Sequence, residues 1–227
     1  MKNFKYLIGL IGLIAVGHSF SGQGFQGVDF SVGSVASKYN MTGAEIYKAG
    51  VDQGYSTLDA NQNKAGVLLG VSYGMGSKKF VTTVGIDYVN STSNMPTAIK
   101  TNGVAQPMTN GPITQILQNR YEAYIAPGYK LTNSTLGYVK LGLLDIPSKA
   151  PIDSSGADTT LSGGPKSVGA LYGVGVKQKF STNSPYFIKL EYTAGQTKLG
   201  KTEDALTNTY QSKINFTSAS ASIGLSF

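Results

Sequence analysis

The chain of 227 residues contains no cysteine and no tryptophan, and His18 is its single histidine. Without cysteine, a disulfide framework, a thiolate metal site and a cysteine nucleophile are all excluded. Charged residues make up only 14% of the chain, against about a quarter in a typical soluble domain. No apolar run reaches the roughly eighteen residues that a transmembrane helix needs. These absences argue against a disulfide-stabilised secreted domain and against a helical membrane protein.

The first residues have the pattern of a secretory signal peptide. Lys2 and Lys5 precede an apolar run over 6–16, and small residues dominate 17–22. The apolar run is too short to cross a bilayer as a helix. A charged start, a short apolar centre and a small-residue end favour a removed signal over a membrane anchor.

We therefore predict a signal peptide over 1–21 and a mature domain over 22–227. Cleavage after Ser19 and cleavage after Ser21 both fit the pattern. Either one removes His18, so no histidine remains for Ser-His-Asp chemistry or for a histidine-supported catalytic metal. An acid/base pair of carboxylates is not evident either, since no two Asp or Glu residues lie on one inward strand face. We predict no enzymatic activity, no catalytic residue, no metal site and no cofactor.

The C-terminal segment 217–227 alternates strictly between two kinds of side chain. Its odd positions are apolar from Ala219 to Phe227, and its even positions from Ser218 to Ser226 are serine or glycine. A period of two places the two sets on opposite faces of a β-strand. The chain is thus predicted to end in a strand with one apolar face and one small, polar face.

Seven further segments alternate in a similar way, so we predict an all-β fold of eight strands. The predicted strands cover about 25–37, 65–75, 79–90, 119–131, 136–145, 167–180, 185–196 and 212–227. Short turns and long loops alternate between them, and the long loops are 38–64, 91–118, 146–166 and 197–211. This alternation is typical of a transmembrane, antiparallel, up-and-down β-barrel. Pairing within the first or second long loop would raise the number of strands to ten.

One residue conflicts with its predicted strand. Pro127 lies inside the fourth strand, although proline cannot donate a hydrogen bond to a sheet ladder. We expect a β-bulge at this position, near the short-turn end of the barrel.

The signal peptide, the eight strands, the alternating connections and the terminal Phe227 together resemble the small eight-stranded outer-membrane proteins: the OmpA transmembrane domain, OmpX and the opacity-type surface proteins. The resemblance covers the whole mature chain and lies in architecture. It implies a location in the bacterial outer membrane, with short turns in the periplasm and long loops outside the cell. It also implies a structural or adhesive role, and that Phe227 is the assembly signal that the barrel assembly machinery recognises.

Charged residues on the inward strand faces form the candidate site. An unpaired charge in a narrow lumen is costly, so these groups are expected to pair. Side chains fill the interior of an eight-stranded barrel. We therefore predict a plugged lumen with an ion-pair network of Asp29, Asp87, Arg120, Glu122, Lys140, Lys189 and Glu191. The alternative is a narrow porin-like channel for small solutes or small hydrophobic molecules.

Several lysines fall at or beside the predicted short turns: Lys78, Lys79, Lys130, Lys177 and Lys179. Lys130 and Lys177 also alternate inward. These lysines form either a solvated rim or a surface for anionic lipid headgroups, and the sequence favours neither. They do not lie on one element that fits a nucleic-acid groove, so we predict no nucleic-acid partner.

The remaining predicted partners follow from the proposed location. They are outer-membrane lipids, lipopolysaccharide, and a host or cell-surface ligand bound through loops 38–64 and 91–118, which are long and rich in Asn, Thr and Gly. We expect a monomer. A soluble periplasmic β-sandwich is a third reading of the same strands, and it predicts extraction from cells without detergent.

Overall fold

The computed structural model describes residues 24–44, 47–48, 51–52, 56–91, 93–101, 104–105, 113–117, 119–149, 168–198, 202–203, 208–210 and 212–227. The predicted signal peptide over 1–21, with both cleavage positions, lies outside these residues. Within the described part of the chain, no helix is long and apolar enough to span a membrane.

Eight antiparallel strands close into a barrel. They are β1 (Gly27–Ala44), β2 (Ser56–Gly76), β3 (Phe80–Asn90), β4 (Arg120–Lys130), β5 (Thr135–Asp145), β6 (Val168–Lys179), β7 (Tyr186–Lys198) and β8 (Ser212–Ser226). Each strand pairs with its neighbours in the chain, and β1 pairs with both β2 and β8, which closes the ring. The predicted all-β, up-and-down transmembrane barrel is confirmed, with eight strands in the ring.

The alternation that predicts the strands also separates their two faces. On β8, Ser218 and Ser222 are buried, whereas Ile223 is 61% exposed. Other outward apolar side chains are exposed too, among them Phe30, Leu69, Leu143, Tyr172 and Leu190. A closed ring has no unpaired edge, so this apolar outer wall can lie in hydrocarbon without exposing free backbone groups.

Two aromatic pairs mark the height of the apolar wall on β3 and β4. The rings of Phe80 and Tyr129 lie 5.2 Å apart near the short turns, and those of Tyr88 and Tyr121 lie 5.2 Å apart at the other end. Eight residue steps span about 26 Å along a strand, or about 20 Å after tilting, which approaches the apolar height of a bilayer. The pairs fit the aromatic girdles of a transmembrane barrel.

The prediction of a loop over all of 38–64 was wrong. β1 continues to Ala44 and β2 begins at Ser56, and the two pair in register from Lys38↔Asn63 to Met41↔Ala60. Beyond the hydrocarbon the outward residues of β1 are polar, while Tyr39 and Met41 face inward and are buried, so the apolar-outward alternation that predicts the wall ends there. The backbone ladder nevertheless continues beyond the apolar wall.

Short strands connect the four long connections to one another. The connection between β1 and β2 pairs with the connection between β7 and β8. The connection between β3 and β4 pairs both with the start of β2 and with the connection between β5 and β6. The strands are Tyr47–Lys48, Val51–Asp52, Ser93–Thr101, Val104–Ala105, Ile113–Leu117, Ser148–Lys149, Thr202–Glu203 and Asn208–Tyr210. Pairing does occur within the predicted loops, but it adds no strand to the closed ring.

The predicted bulge at Pro127 was also wrong. The pairing of β3 with β4 keeps one register from Phe80↔Tyr129 through Thr82↔Pro127 to Val89↔Arg120. On the β5 side the ladder omits two successive pairs, at Pro127 and Ala126, and resumes in the same register at Leu141↔Ile125. Leaving out these two steps of the ladder accommodates the missing donor without an inserted residue.

Candidate functional site: the charged lumen

Lys140 on β5 lies at the centre of the lumen and contacts carboxylates from three other strands. Its Nζ is 2.6 Å from Asp87 Oδ2 on β3, 2.9 Å from Glu122 Oε2 on β4 and 3.6 Å from Glu191 Oε2 on β7. The Lys140 side chain is only 1% exposed. One ammonium group therefore joins four strands across the interior.

Two further cations extend these contacts. Lys189 Nζ lies 3.4 Å from Glu191 Oε2 and 3.9 Å from Asp87 Oδ1, and Arg120 Nε lies 2.7 Å from Glu122 Oε1. We call these six residues the lumen network: Asp87, Arg120, Glu122, Lys140, Lys189 and Glu191. The lumen network contains three cations and three carboxylates. Their mutual attraction offsets the free-energy cost of removing these charges from water.

The guanidinium of Arg120 is held by β1 and β8 as well as by Glu122. Its Nη1 donates to Ser37 Oγ and Tyr39 OH, both at 3.3 Å, and Nη2 donates to Ser218 Oγ at 3.2 Å. The Cζ atom lies 4.4 Å from the centre of the Phe216 ring. A planar group with several donors suits this position. The small inward side chains of β8 leave the space that the guanidinium occupies.

Asp29 is the one predicted residue that the structure places apart from the lumen network. Its Oδ2 lies 2.6 Å from Lys177 Nζ, and its Oδ1 accepts a hydrogen bond of 2.6 Å from Ser226 Oγ. Ser72 Oγ donates to Oδ2 at 3.4 Å. We call Asp29, Ser72, Lys177 and Ser226 the seam cluster, because β1 and β8 meet there to close the ring.

Lys177 is therefore a buried lumen residue, although its position beside a turn also allowed a place at the rim. The rim lysine Lys179 has a defined contact as well, since its Nζ donates to the carbonyl oxygen of Gly24 at 2.6 Å. Lys78 and Lys79 are exposed. The five turn lysines thus do not act as one group.

Aromatic rings fill the lumen opposite inward-facing glycines. A Cβ atom added at Gly85 would lie 2.5 Å from the hydroxyl oxygen of Tyr124, and similar clashes would occur between Gly175 and Tyr138 and between Gly224 and Phe187. The rings also contact the buried charges. Lys140 Nζ lies 4.2 Å from the centre of the Tyr124 ring, and Tyr138 OH donates to Glu191 Oε1 at 2.9 Å.

A small cavity lies between the lumen network and the seam cluster. Its volume is about 20 Å³, and Asp29, Lys177, Lys189 and Glu191 are among the residues that line it. That volume holds about one water molecule. A solute could pass this level of the lumen only if the surrounding side chains moved.

Phe25 packs into the short-turn end of the lumen. Gly24 and Gly27 on either side of it have φ angles of 76° and 107°, a region that favours glycine. Phe25 is 1% exposed and packs with Val81 and Leu136. Sequence reasoning missed this role, since it placed residue 25 at the start of the first strand, whereas Phe25 lies in a turn before the strand begins at Gly27.

The chemistry available in this lumen is that of a scaffold. Each carboxylate of the lumen network and of the seam cluster contacts a cation, and the space between them is filled by rings. Among the residues that the structure describes, no group of three or more His, Cys, Asp or Glu side chains could hold a metal ion. The contacts connect strands, and the cavity that the described residues leave beside them is the one of about 20 Å³.

No protein-family model matches the sequence, and no curated protein sequence matches it. Solved structures do match. The outer membrane protein OprG from Pseudomonas aeruginosa is 15% identical, with a TM-score of 0.53 over 90% of this chain and 98% of that chain. This chain has the fold of the small eight-stranded outer-membrane barrels. At such low identity, the likeness concerns the fold alone.

Two other matches differ from each other in role. One is Ail, the attachment invasion locus protein of Yersinia pestis, in complex with the heparin analogue sucrose octasulfate; it is 11% identical, with a TM-score of 0.40 over 85% of this chain and 99% of that chain. The other is the outer membrane protease OmpT from Escherichia coli, which is 8% identical, with a TM-score of 0.39 over 92% of this chain and 99% of that chain. Neither likeness is close enough to assign a role to this barrel.

Proposed function

We propose that the protein is a surface barrel of the bacterial outer membrane, with a plugged lumen and a structural or adhesive role carried by its long loops. The lumen network is the observation that carries the proposal. Its charges are paired within 3.9 Å, and its side chains are at most 10% exposed. A conducting pore would need charges that face an open, hydrated path, whereas these are buried and paired with one another.

Conductance tests the plug. The purified protein, reconstituted in planar lipid bilayers, is expected to show no stable open level. Neutralising Lys140 or Glu122 removes part of the plug, and Lys78→Met is the matched control because Lys78 is exposed at a short turn. A stable open level in the wild type that changes when Lys140 or Glu122 is neutralised would establish the narrow channel instead.

The outer-membrane location is supported by the apolar wall, and a role for Phe227 is supported by its contacts at the seam. The backbone of Phe227 exchanges hydrogen bonds of 2.8 and 3.0 Å with Val28, and its ring lies 6.1 Å from that of Phe30 across the seam. These contacts support a role for Phe227 in assembly, in which the terminal strand is delivered to the barrel assembly machinery. Signal-peptide cleavage within 1–21 belongs to the same proposal.

Cell fractionation tests the location. The protein is expected in the outer-membrane fraction, extractable only with detergent, with a mature N-terminus at residue 20 or 22 by mass spectrometry. Cross-linking in detergent is expected to show a monomer. Recovery in the soluble fraction without detergent would overturn the proposal in favour of a periplasmic sandwich.

The loop role is supported by the ladder that joins the long connections. The start of β2, Ser56–Asp59 in 38–64, pairs with residues 98–101 in 91–118, so the two proposed binding segments are adjacent. Shortening either segment is expected to abolish binding to host cell surfaces while the barrel still forms. Binding that survives both deletions would remove the loops from the proposal.

We propose no enzymatic activity. Turnover of lipid or peptide by the purified protein that is lost when a loop is deleted would contradict this.

A further inference from the structure

At the loop end of four adjacent strands, the outward face changes from apolar to polar. Lysines and amides replace hydrocarbon side chains just beyond the apolar wall. We call this surface the outward patch, and its members are Lys38, Asn40, Asn61, Asn63, Gln196, Lys198, Lys213 and Asn215. They alternate along β1, β2, β7 and β8 with inward residues, as the buried Ser37 and Tyr39 beside Lys38 show.

The register makes the outward patch continuous. Lys198 lies opposite Lys213, Gln196 opposite Asn215, Asn215 opposite Asn40, and Lys38 opposite Asn63. Side chains directly opposite each other on one face of a sheet are about 5 Å apart at Cβ. Gln196 Nε2 donates to Asn215 Oδ1 at 2.7 Å, which ties β7 to β8 within the patch.

The lysines of this patch differ from those of the lumen. Lys140, Lys177 and Lys189 each lie within 3.4 Å of a carboxylate. Lys38, Lys198 and Lys213 form no ion pair with any side chain that the structure describes. Lys198 and Lys213 even face each other, an arrangement that destabilises a sheet unless an anion offsets it. Among the side chains that the structure describes, no anion offsets these charges.

The height of the patch indicates where an offsetting anion would lie. On β1, Lys38 follows Phe30 by eight residues on the same outward face, or about 20 Å of barrel height after tilting. Phe30 lies at the short-turn end, where its ring meets Phe227. The patch thus begins at the edge of the apolar band, at the level of lipid headgroups on the loop side.

We propose that the outward patch binds the phosphate groups of an outer-leaflet glycolipid of the lipopolysaccharide type. The ammonium groups of Lys38, Lys198 and Lys213 hold the phosphates, and the neighbouring amides bind sugar hydroxyls. The assignment rests on the proposed function in one respect, namely that the loop end of the barrel faces outward from the cell.

The test uses bisphosphorylated lipid A and the same lipid after removal of both phosphates, each added to the full mature barrel in non-ionic detergent. Binding is measured by native mass spectrometry and by thermophoresis. The variant is K38Q/K198Q/K213Q. The matched control is K78Q/K79Q, which removes two exposed lysines at the opposite end of the barrel.

The triple variant is expected to bind bisphosphorylated lipid A about 100-fold more weakly, since each lysine near an anionic headgroup contributes about fivefold. The control is expected to bind like the wild type, and the dephosphorylated lipid is expected to bind weakly to all three proteins. Equal binding by the triple variant and the wild type would overturn the proposal. Equal binding of the two lipids by the wild type would also overturn it.

Folding of each variant is checked by its heat-dependent mobility in gels. If the triple variant fails to fold, the single changes Lys38→Gln and Lys213→Gln take its place, each with an expected loss of about fivefold. If lipid A binding does not depend on the three lysines but the protein is still a non-conducting barrel in the outer membrane, the further inference fails and the proposed function stands. Recovery of the protein in the soluble fraction would remove both.

Discussion

The lumen network and the seam cluster are both buried and both pair lysine with carboxylate, but they differ in redundancy. Lys140 lies within 3.6 Å of three carboxylates. Lys177 has Asp29 as its one carboxylate within the part of the chain that the structure describes. The network joins β3, β4, β5 and β7 across the interior, whereas the cluster joins β1, β2, β6 and β8 around the seam.

The difference shows in what remains after one side chain is lost. Without one acid of the network, Lys140 keeps two others. Without Asp29, the contacts of Lys177 within the described residues are with the rings of Phe187 and Phe25, whose centres lie 4.2 and 5.6 Å from its Nζ. The network is thus tolerant of losing an acid and sensitive to losing its central lysine, while the cluster depends on a single acid.

Loss of the central lysine is expected to have the largest effect. Lys140→Met leaves three buried carboxylates to share Arg120 and Lys189, and it should lower the free energy of unfolding by about 3–5 kcal/mol. The measurement is reversible urea unfolding of the barrel in lipid vesicles. Lys79→Met, at an exposed turn position, is the control and should change stability by less than about 0.5 kcal/mol. Equal effects of the two changes would refute the central role of Lys140.

Asp29→Asn tests the single acid of the seam cluster. It leaves the Lys177 ammonium buried without a carboxylate, so a loss of about 3 kcal/mol is expected. Asp87→Asn should destabilise by only about 1–2 kcal/mol, because Lys140 retains Glu122 and Glu191. The same unfolding assay ranks the two variants, and the reverse order would contradict the redundancy argued above. Adding Lys177→Met to Asp29→Asn should restore part of the stability.

The packing between rings and glycines predicts a smaller effect. Gly175→Ala places a Cβ against the ring of Tyr138, and overpacking of this kind costs about 1–3 kcal/mol. Gly137→Ala on the neighbouring β5 is the matched control, because its Cβ would meet only the end of the flexible Leu131 side chain at 3.3 Å. Thermal unfolding that does not separate the two variants would mean that the lumen is loosely packed.

Two serines on the same face of β8 give the smallest and sharpest comparison. Ser226 Oγ donates to Asp29, so Ser226→Ala should cost about 1–2 kcal/mol. Ser222 Oγ is buried without a hydrogen-bond partner among the described residues, so Ser222→Ala should be close to neutral. The contrast is read from paired urea titrations. A large loss at Ser222 would reveal a contact, such as a bound water, that the side chains do not show.

Much of the barrel wall was predictable because the bilayer imposes its own pattern. The predicted strands at 119–131 and 136–145 correspond to Arg120–Lys130 and Thr135–Asp145. Where β1 leaves the hydrocarbon its outward residues become polar, so the apolar-outward pattern ended before the strand did, and the continuation to Ala44 was not predicted. Phe25 could not be placed either, since its burial depends on a turn before the first strand.

The alternation of residues is enough to show which charges face the lumen, because a period of two assigns every strand residue to one face. It did not determine which charge meets which. Lys177 and Asp29 are 148 residues apart in the chain, and their contact at 2.6 Å depends on the stagger of strands around the closed ring. Asp29 therefore lies at the seam with Ser226, while Lys140 collects the acids of β3, β4 and β7. This division follows from the closed fold, because distances across a lumen depend on how the ring of strands closes and not on the local pattern of residues.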